Sequence, residues 1–326
     1  MAGVSPAAVS LAINHKKGVS EATRAHILDI VKKVKYLPNP NSRRLLAGRT
    51  NNIAVLARTD LRPIDRFFYT ELTSGILDSF NQDVINLIFT ALKDSGEDSR
   101  LPQIIRARDI DGVLIFGDID DSVLDEIDAY EIPFVILDSS KYGSRYLTVS
   151  ANYTTAAYTA TNFLLRNGHV DIAYLGNGSN SQVFFNDAVL SGFRQALAEY
   201  NLAIPENRIQ VHVQDEASLV VSIERLLKGK KRPTAIFCST DVYGCNTIKY
   251  LNEHGYRLPD DMSVIGIDDI LISQFTQPAL TTVRIDPESM GRMGYELLQR
   301  RIAGETCASI LCPSADLIVR DSVKRR

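Results

Sequence analysis

The chain has 326 residues, 45% of them apolar and 23% charged, an ordinary globular mixture that excludes a disordered or fibrous protein. No run of about 18 apolar residues is present, so no membrane span is expected, and the first residues lack the cationic stretch and apolar core of a secretion signal. Charge is unevenly shared. Residues 1–50 carry nine Lys and Arg against Glu21 and Asp29, or +7, so with −3 overall the other 276 residues carry −10. A basic head on an acidic body directs only the head toward a polyanion.

In chain order, Ser5-Pro6 opens the first helix: Ser5 caps free N–H groups and Pro6 stands where a missing donor costs nothing. Val9, Ala12 and Ile13 recur at helical spacing on one face, leaving Ala7, Ser10, Leu11 and Asn14 on the other. A second helix begins after Ser20. It places Ile27, Val34 and either Ile30 or Val31 on one face and Arg24, Lys32, Lys33 and Lys35 toward solvent or phosphate, until Pro38 and Pro40 end it. By itself this is a basic helical hairpin, and the following segment NPNSRRLLAG is either a second DNA element or a linker.

From residue 51 the texture changes. Apolar runs at 53–57, 84–92, 111–118 and 132–138, then at 171–177, 209–213, 235–241 and 263–269, alternate with helical stretches. Two such series predict two doubly wound parallel-sheet lobes in an α/β body. Several runs end in an acid (Asp118, Asp138, Asp241, Asp268), at the strand ends where open α/β sheets bind ligands, although an acid there also serves as a helix cap. Nucleotide fingerprints are absent. Cys238, Cys245, Cys307 and Cys312 have neither zinc nor redox spacing and read as free thiols in a reducing compartment. The five histidines, His15, His26, His169, His212 and His254, stand in no hydrolase or metalloprotease context, so the chain does not read as an enzyme. No cofactor and no metal are expected.

The segment AGVSPAAVSLAIN, followed by GVSEATRAHILDIVKKVKYLPNPNSRRLLAGRT, resembles the head and hinge of LacI/GalR transcription regulators. RNGHVDIAYLGN, LSGFRQAL and SVIGIDDILISQFTQPALTTVR extend the resemblance through the body. It implies a helix-turn-helix head over 1–38, a hinge over 39–50 and a periplasmic-binding-protein-like body over 51–326. Lobe one of that body is expected at about 51–162 and 285–309, and lobe two at about 163–284 and 310–326. It also implies a further helix ahead of Pro6, so the natural chain is expected to be longer, with Met1 internal.

By the same resemblance the protein is a cytoplasmic homodimer that binds a pseudo-palindromic double-stranded operator, most simply as a repressor, under control of a small-molecule effector, a sugar being one candidate. Ser5, Pro6, Ala7, Ser10, Leu11 and Asn14 would face the major groove, Arg24 and Arg43 the backbone, and Leu45 would wedge into a minor-groove step. Phe68, Tyr69, Asn152, Val189, Thr240, Asp241 and Asp268 would meet the effector. Three of the neighbouring positions depart from the family pattern: Ala151 stands for an Asp, Val189 for an Arg and Thr240 for an Asn. Either the effector is less polar than usual, or the chain no longer senses one through those contacts. A transporter's solute-binding receptor, or a sensor that has lost DNA binding, is the alternative reading.

Overall fold

The computed structural model describes residues 3–13, 15–34, 49–58, 66–80, 84–92, 101–139, 141–177, 183–213, 215–228, 231–312 and 316–326. The chain divides into two compact units, Met1–Thr50 and Asn51–Arg326.

In the first unit, helix α1 (Pro6–Ile13) and helix α2 (Glu21–Lys33) pack on each other. Ser20 accepts from the Thr23 N–H at 3.2 Å and starts α2. Ala12 and Ile27 are the residues fully buried between the helices, so the apolar stripe anticipated on α1 does turn inward, with Val9 and Ile13 half-buried beside it.

The second unit contains two six-stranded sheets. The first is built from β1 (Asn52–Arg58), β2 (Asn86–Leu92), β3 (Gly112–Phe116), β4 (Phe134–Leu137), β5 (Thr148–Ala151) and β11 (Ile310–Cys312), in the order β11-β5-β4-β3-β1-β2. The second is built from β6 (Ile172–Asn177), β7 (Ile209–Val213), β8 (Ala235–Cys238), β9 (Ser263–Asp268), β10 (Thr281–Arg284) and β12 (Asp316–Ile318), in the order β12-β10-β9-β8-β6-β7. All pairings are parallel except β10 with β12. Strands buried on both faces read as unbroken Val/Ile/Leu runs, and here Leu114 joins one apolar cluster while its neighbours Val113 and Ile115 join another.

Helices cover the sheets: α3 (Arg66–Ser79), α4 (Gln103–Arg106), α5 (Asp121–Ala129), α6 (Tyr153–Arg166), α7 (Val183–Glu199), α8 (Glu216–Leu227), α9 (Asp241–Glu253) and α10 (Pro287–Ile302). Two close approaches rely on glycine. A Cβ on Gly291 would lie 2.0 Å from the Leu72 carbonyl oxygen, and one on Gly75 1.9 Å from that of Glu288, so α3 and α10 touch backbone to backbone.

The lobe boundaries differ from those anticipated. Helix α6 packs on α7 and the second sheet, so 153–162 belong to lobe two, whereas β11 pairs with β5, which places 310–312 in lobe one. The chain therefore changes lobe at 151–153, at 284–287 and between Cys312 and Asp316. Among the described residues no helix is long and apolar enough to cross a membrane.

Candidate nucleic-acid interface and ligand cleft

The outer face of α1 is built by capping and packing. Ser5 Oγ accepts from the Ala8 N–H at 3.2 Å, fixing the helix start, and burial of Ala12 turns Pro6, Ala7 and Ser10 outward, where they and Ser5 are exposed. Leu11 is half-buried. Its Cδ1 would stand 3.0 Å from a Cβ on Gly18, whose φ of +126° only glycine adopts readily, so Leu11 is braced against the turn as well as facing out.

Arg24 departs from its expected role as a backbone contact. Its Nη1 donates to the Leu11 and Ala12 carbonyls, both at 3.3 Å, and its Nη2 to Lys16 at 2.8 Å. With Nε 3.5 Å from Glu21, the guanidinium adds to the bonds that the Leu11 and Ala12 carbonyls accept from the Lys16 and His15 N–H groups, and it holds the turn together. Lys32 remains exposed, while Lys33 pairs with Asp29 at 2.7 Å. Asn14, Arg43 and Leu45 lie outside the described residues.

In the body, aromatic rings and carboxylates from both lobes converge where strands end and the chain first changes lobe. Tyr69 stacks on Phe116 with centroids 5.3 Å apart, and Phe68 meets Tyr69 edge-on at 5.7 Å. Tyr153, the first residue of α6, donates its hydroxyl to Asp138 Oδ1 at 2.5 Å and packs edge-on against Phe185 at 4.5 Å. Burial, then the charges of Asp138 and of Asp268 from the opposite lobe, hold the Tyr153 hydroxyl protonated well above its ordinary range. Asp138, Asp268 and Asp269 have φ of 63°, 124° and 61°. Such backbone costs about 1–3 kcal/mol per residue and gathers at ligand-binding sites. Asp269 is clamped between Arg284 at 2.7 Å and Arg320 at 2.5 Å, which fixes the turn that presents Asp268.

The other anticipated contacts are used differently. Val189 is fully buried in the core on α7, because an apolar side chain there gains more from packing than from the cleft. Asp241 is also fully buried: its Oδ1 accepts from Thr282 Oγ1 at 2.5 Å and its Oδ2 from the Ile270 N–H at 3.2 Å, tying α9 to β10 and to the turn after β9. Burial is the main cause that pushes its carboxyl up to about 8. Neither presents its side chain to the cleft. Asn152 and Thr240 cap α6 and α9, accepting from the Thr155 and Tyr243 N–H groups at 3.0 and 3.4 Å.

Sequence reasoning missed Tyr153, Phe116 and Phe185, and gave Asp138 no role beyond a strand-end acid. The available signal was an aromatic residue directly after a capping Asn at a strand-to-helix junction. His169 is structural: its ring nitrogens bond Thr234 Oγ1 at 3.0 Å and the Lys324 carbonyl at 2.9 Å, and burial lowers its pKa.

Comparison with known proteins agrees with this two-part organisation. Residues 1–39 match the model of bacterial regulatory proteins of the lacI family, and residues 161–323 that of the periplasmic binding protein-like domain. The HTH-type transcriptional repressor PurR of Vibrio parahaemolyticus is 29% identical over 329 residues, covering 100% of this chain and 97% of the relative. Catabolite control protein A of Priestia megaterium is 27% identical over 311 residues, covering 94% and 92%. Among solved structures, the transcriptional regulator CelR-cellobiose complex superposes with a TM-score of 0.75 at 27% identity, covering 99% of this chain and 97% of that one. The lac repressor dimer bound to operator and the anti-inducer ONPF shares the fold, with a TM-score of 0.81 at 21% identity over 98% and 96% of the two chains. The chain belongs to the lacI family of bacterial regulatory proteins, carrying that family's head on a periplasmic binding protein-like body.

Proposed function

We propose that this protein represses transcription by binding a pseudo-palindromic operator as a cytoplasmic homodimer, and that a small molecule in the body's cleft sets its affinity for DNA. The observation that carries the reading is the exposed Ser5, Pro6, Ala7 and Ser10 face of a capped helix in a basic head, in a chain alike over its whole length to named repressors. Small side chains there let the helix approach a groove floor, and direct readout would rest on contact with thymine methyls and on Ser10. That is a sparse code, which shifts weight to phosphate contacts and DNA shape. Leu45 would supply the minor-groove wedge and Arg43 a neighbouring charge. The relatives are regulators, and the reading assigns the chain no catalysis.

In the body, Phe68, Tyr69, Asp138, Tyr153 and Asp268 would form the effector's principal contacts, with Asn152 and Thr240 at the rim. Closure on a ligand shifts the dimer's DNA-binding state only as far as the ligand prefers one arrangement, about 1–3 kcal/mol in most coupled systems. Selection from a random duplex pool by the full chain tests the proposal: an inverted repeat should be enriched, and an unenriched pool would defeat it. Leu45→Ala should then weaken specific binding far more than non-specific binding, whereas an equal loss in both would remove the wedge.

A further inference from the structure

A carboxyl group withdrawn from water keeps its charge only where a cation or several donors replace the lost solvent. Asp241 lacks the cation: it is fully buried at the start of α9, and among the described residues it forms no ion pair. Its partners are the Thr282 hydroxyl on β10 and the Ile270 N–H in the turn after β9. A Cβ on Gly266 would fall 2.2 Å from its Oδ1, so the carboxyl lies against the backbone of β9.

The charges that act on Asp241 are those of Asp269 and Arg320. Arg320 is committed elsewhere: Nη2 pairs with Asp269 Oδ1 at 2.5 Å, and Nη1 donates to Ser273 Oγ at 3.0 Å and to the Leu280 carbonyl at 2.8 Å. Arg284 holds the other oxygen of Asp269 at 2.7 Å. Cys238 on β8 and Cys245 on α9 also face the group, and burial keeps both thiols neutral. Ser273, in the short 3-10 helix Leu271–Phe275, in turn donates its hydroxyl to the Ile270 carbonyl at 2.7 Å. Asp241, Ser273 and Arg320 thus fix the turn Asp268-Asp269-Ile270 from three elements, and its first two residues have positive φ.

We propose that Asp241 is a positioning residue whose bound proton latches the turn presenting Asp268, and that loss of this proton in mild alkali releases the turn. This rests on the reading of Asp268 as an effector contact and names how that contact is regulated. With Asp241 neutral, Arg320 serves Asp269, and the turn is held at both ends. Once the proton leaves to solvent, a second buried anion stands near Asp269 and competes for Arg320, and withdrawal of that arginine frees Asp269 and Ser273 together. Burial places the change near pH 8. The strained backbone at 268 and 269 then relaxes, Asp268 loses its placement, and effector affinity falls.

Hydrogen exchange of the full chain, followed by mass spectrometry at pH 6 and pH 9 and corrected for the intrinsic effect of pH, tests this without any effector. A carboxyl that titrates near 8 when latched and near 4 when exposed makes opening easier by about tenfold per pH unit up to 8. Protection over 268–275 should therefore fall by about tenfold or more, while that of β8 holds. In Asp241→Asn, which cannot ionise, the fall should vanish, and in Arg320→Met protection should already be low at pH 6. The variants are judged separately, so misfolding of one leaves the other decisive. The proposal is overturned if 268–275 keeps its protection at pH 9, if β8 loses as much, if Asp241→Asn shows the same fall, or if Arg320→Met is protected like the unaltered chain at pH 6. Failure of the effector reading shows separately, as an Asp268→Asn chain that binds a stabilising compound, found among ribose, cellobiose and adenosine by thermal shift, as tightly as the unaltered chain does.

Discussion

Replacing Arg24 with Met separates two roles that both suit a cation in a DNA-binding head. In the structure the guanidinium makes three hydrogen bonds, two to carbonyls in the last turn of α1 and one to Lys16 in the turn that follows, and its side chain is only 13% exposed. Charge-assisted hydrogen bonds contribute roughly 1.5–3 kcal/mol each, but these share one guanidinium and two are long, so the joint loss is put at about 2–3 kcal/mol. In a unit as small as residues 1–50, that is a large part of the stability available. Urea unfolding followed by far-ultraviolet circular dichroism should show the head's transition moving to lower denaturant in Arg24→Met while the body's transition stays in place. The slope of log affinity against log salt, measured below the head's unfolding, should be unchanged. Lys32→Ala should do the converse, leaving stability alone and reducing the slope by about 1 per subunit, as expected for a lost phosphate contact. If Arg24→Met lowered the salt slope and left the head's unfolding untouched, the assignment of Arg24 to the end of α1 would be refuted.

Three further outcomes follow from the body. Gly291→Ala forces a methyl toward the Leu72 carbonyl and should destabilise the body by about 1–3 kcal/mol, visible as a lower calorimetric midpoint. Burial raises the Asp241 carboxyl to about 8, and Asp118 and Glu71 are raised in the same direction by the same cause. At these three groups the folded chain holds protons that the unfolded one releases, and the Asp241 share of stability is complete below pH 4 and lost as pH rises through 8. Asp241 alone contributes at most about 1.4 kcal/mol per pH unit, and Asp241→Asn should flatten that part of the profile in denaturant titrations at several pH values. Tyr153→Phe removes the donor to Asp138 and should cost about 1 kcal/mol of stability in the same titrations.

Much of the architecture was legible because strands buried on both faces leave continuous apolar runs; the eight runs identified correspond to β1–β4 and β6–β9. The strands that escaped, β5, β10, β11 and β12, are three or four residues long, and all but β11 carry a Thr, Ser or Asp. They border the lobe crossings, so missing them displaced the lobe boundaries to 162 and 310. Around the cleft, motif position singled out Phe68, Tyr69 and Asp268 as proposed effector contacts, but position along a chain does not reveal which way a side chain turns. Val189 and Asp241 point into the core because of apolar packing in one case and of Thr282 and the Ile270 N–H in the other, partners that are distant in sequence. In the head, the Arg24 contacts join two helices through a turn, which helix periodicity alone cannot show.

The most direct measurement of the central claim is fluorescence anisotropy of the full chain with a selected inverted-repeat duplex and a scrambled duplex of equal length, at one fixed, near-physiological salt concentration. A repressor that reads sequence through α1 should favour the inverted repeat by a factor of about 10³ or more. Dissociation constants within a few-fold of each other would leave a basic head that holds DNA only by charge, and would contradict the account.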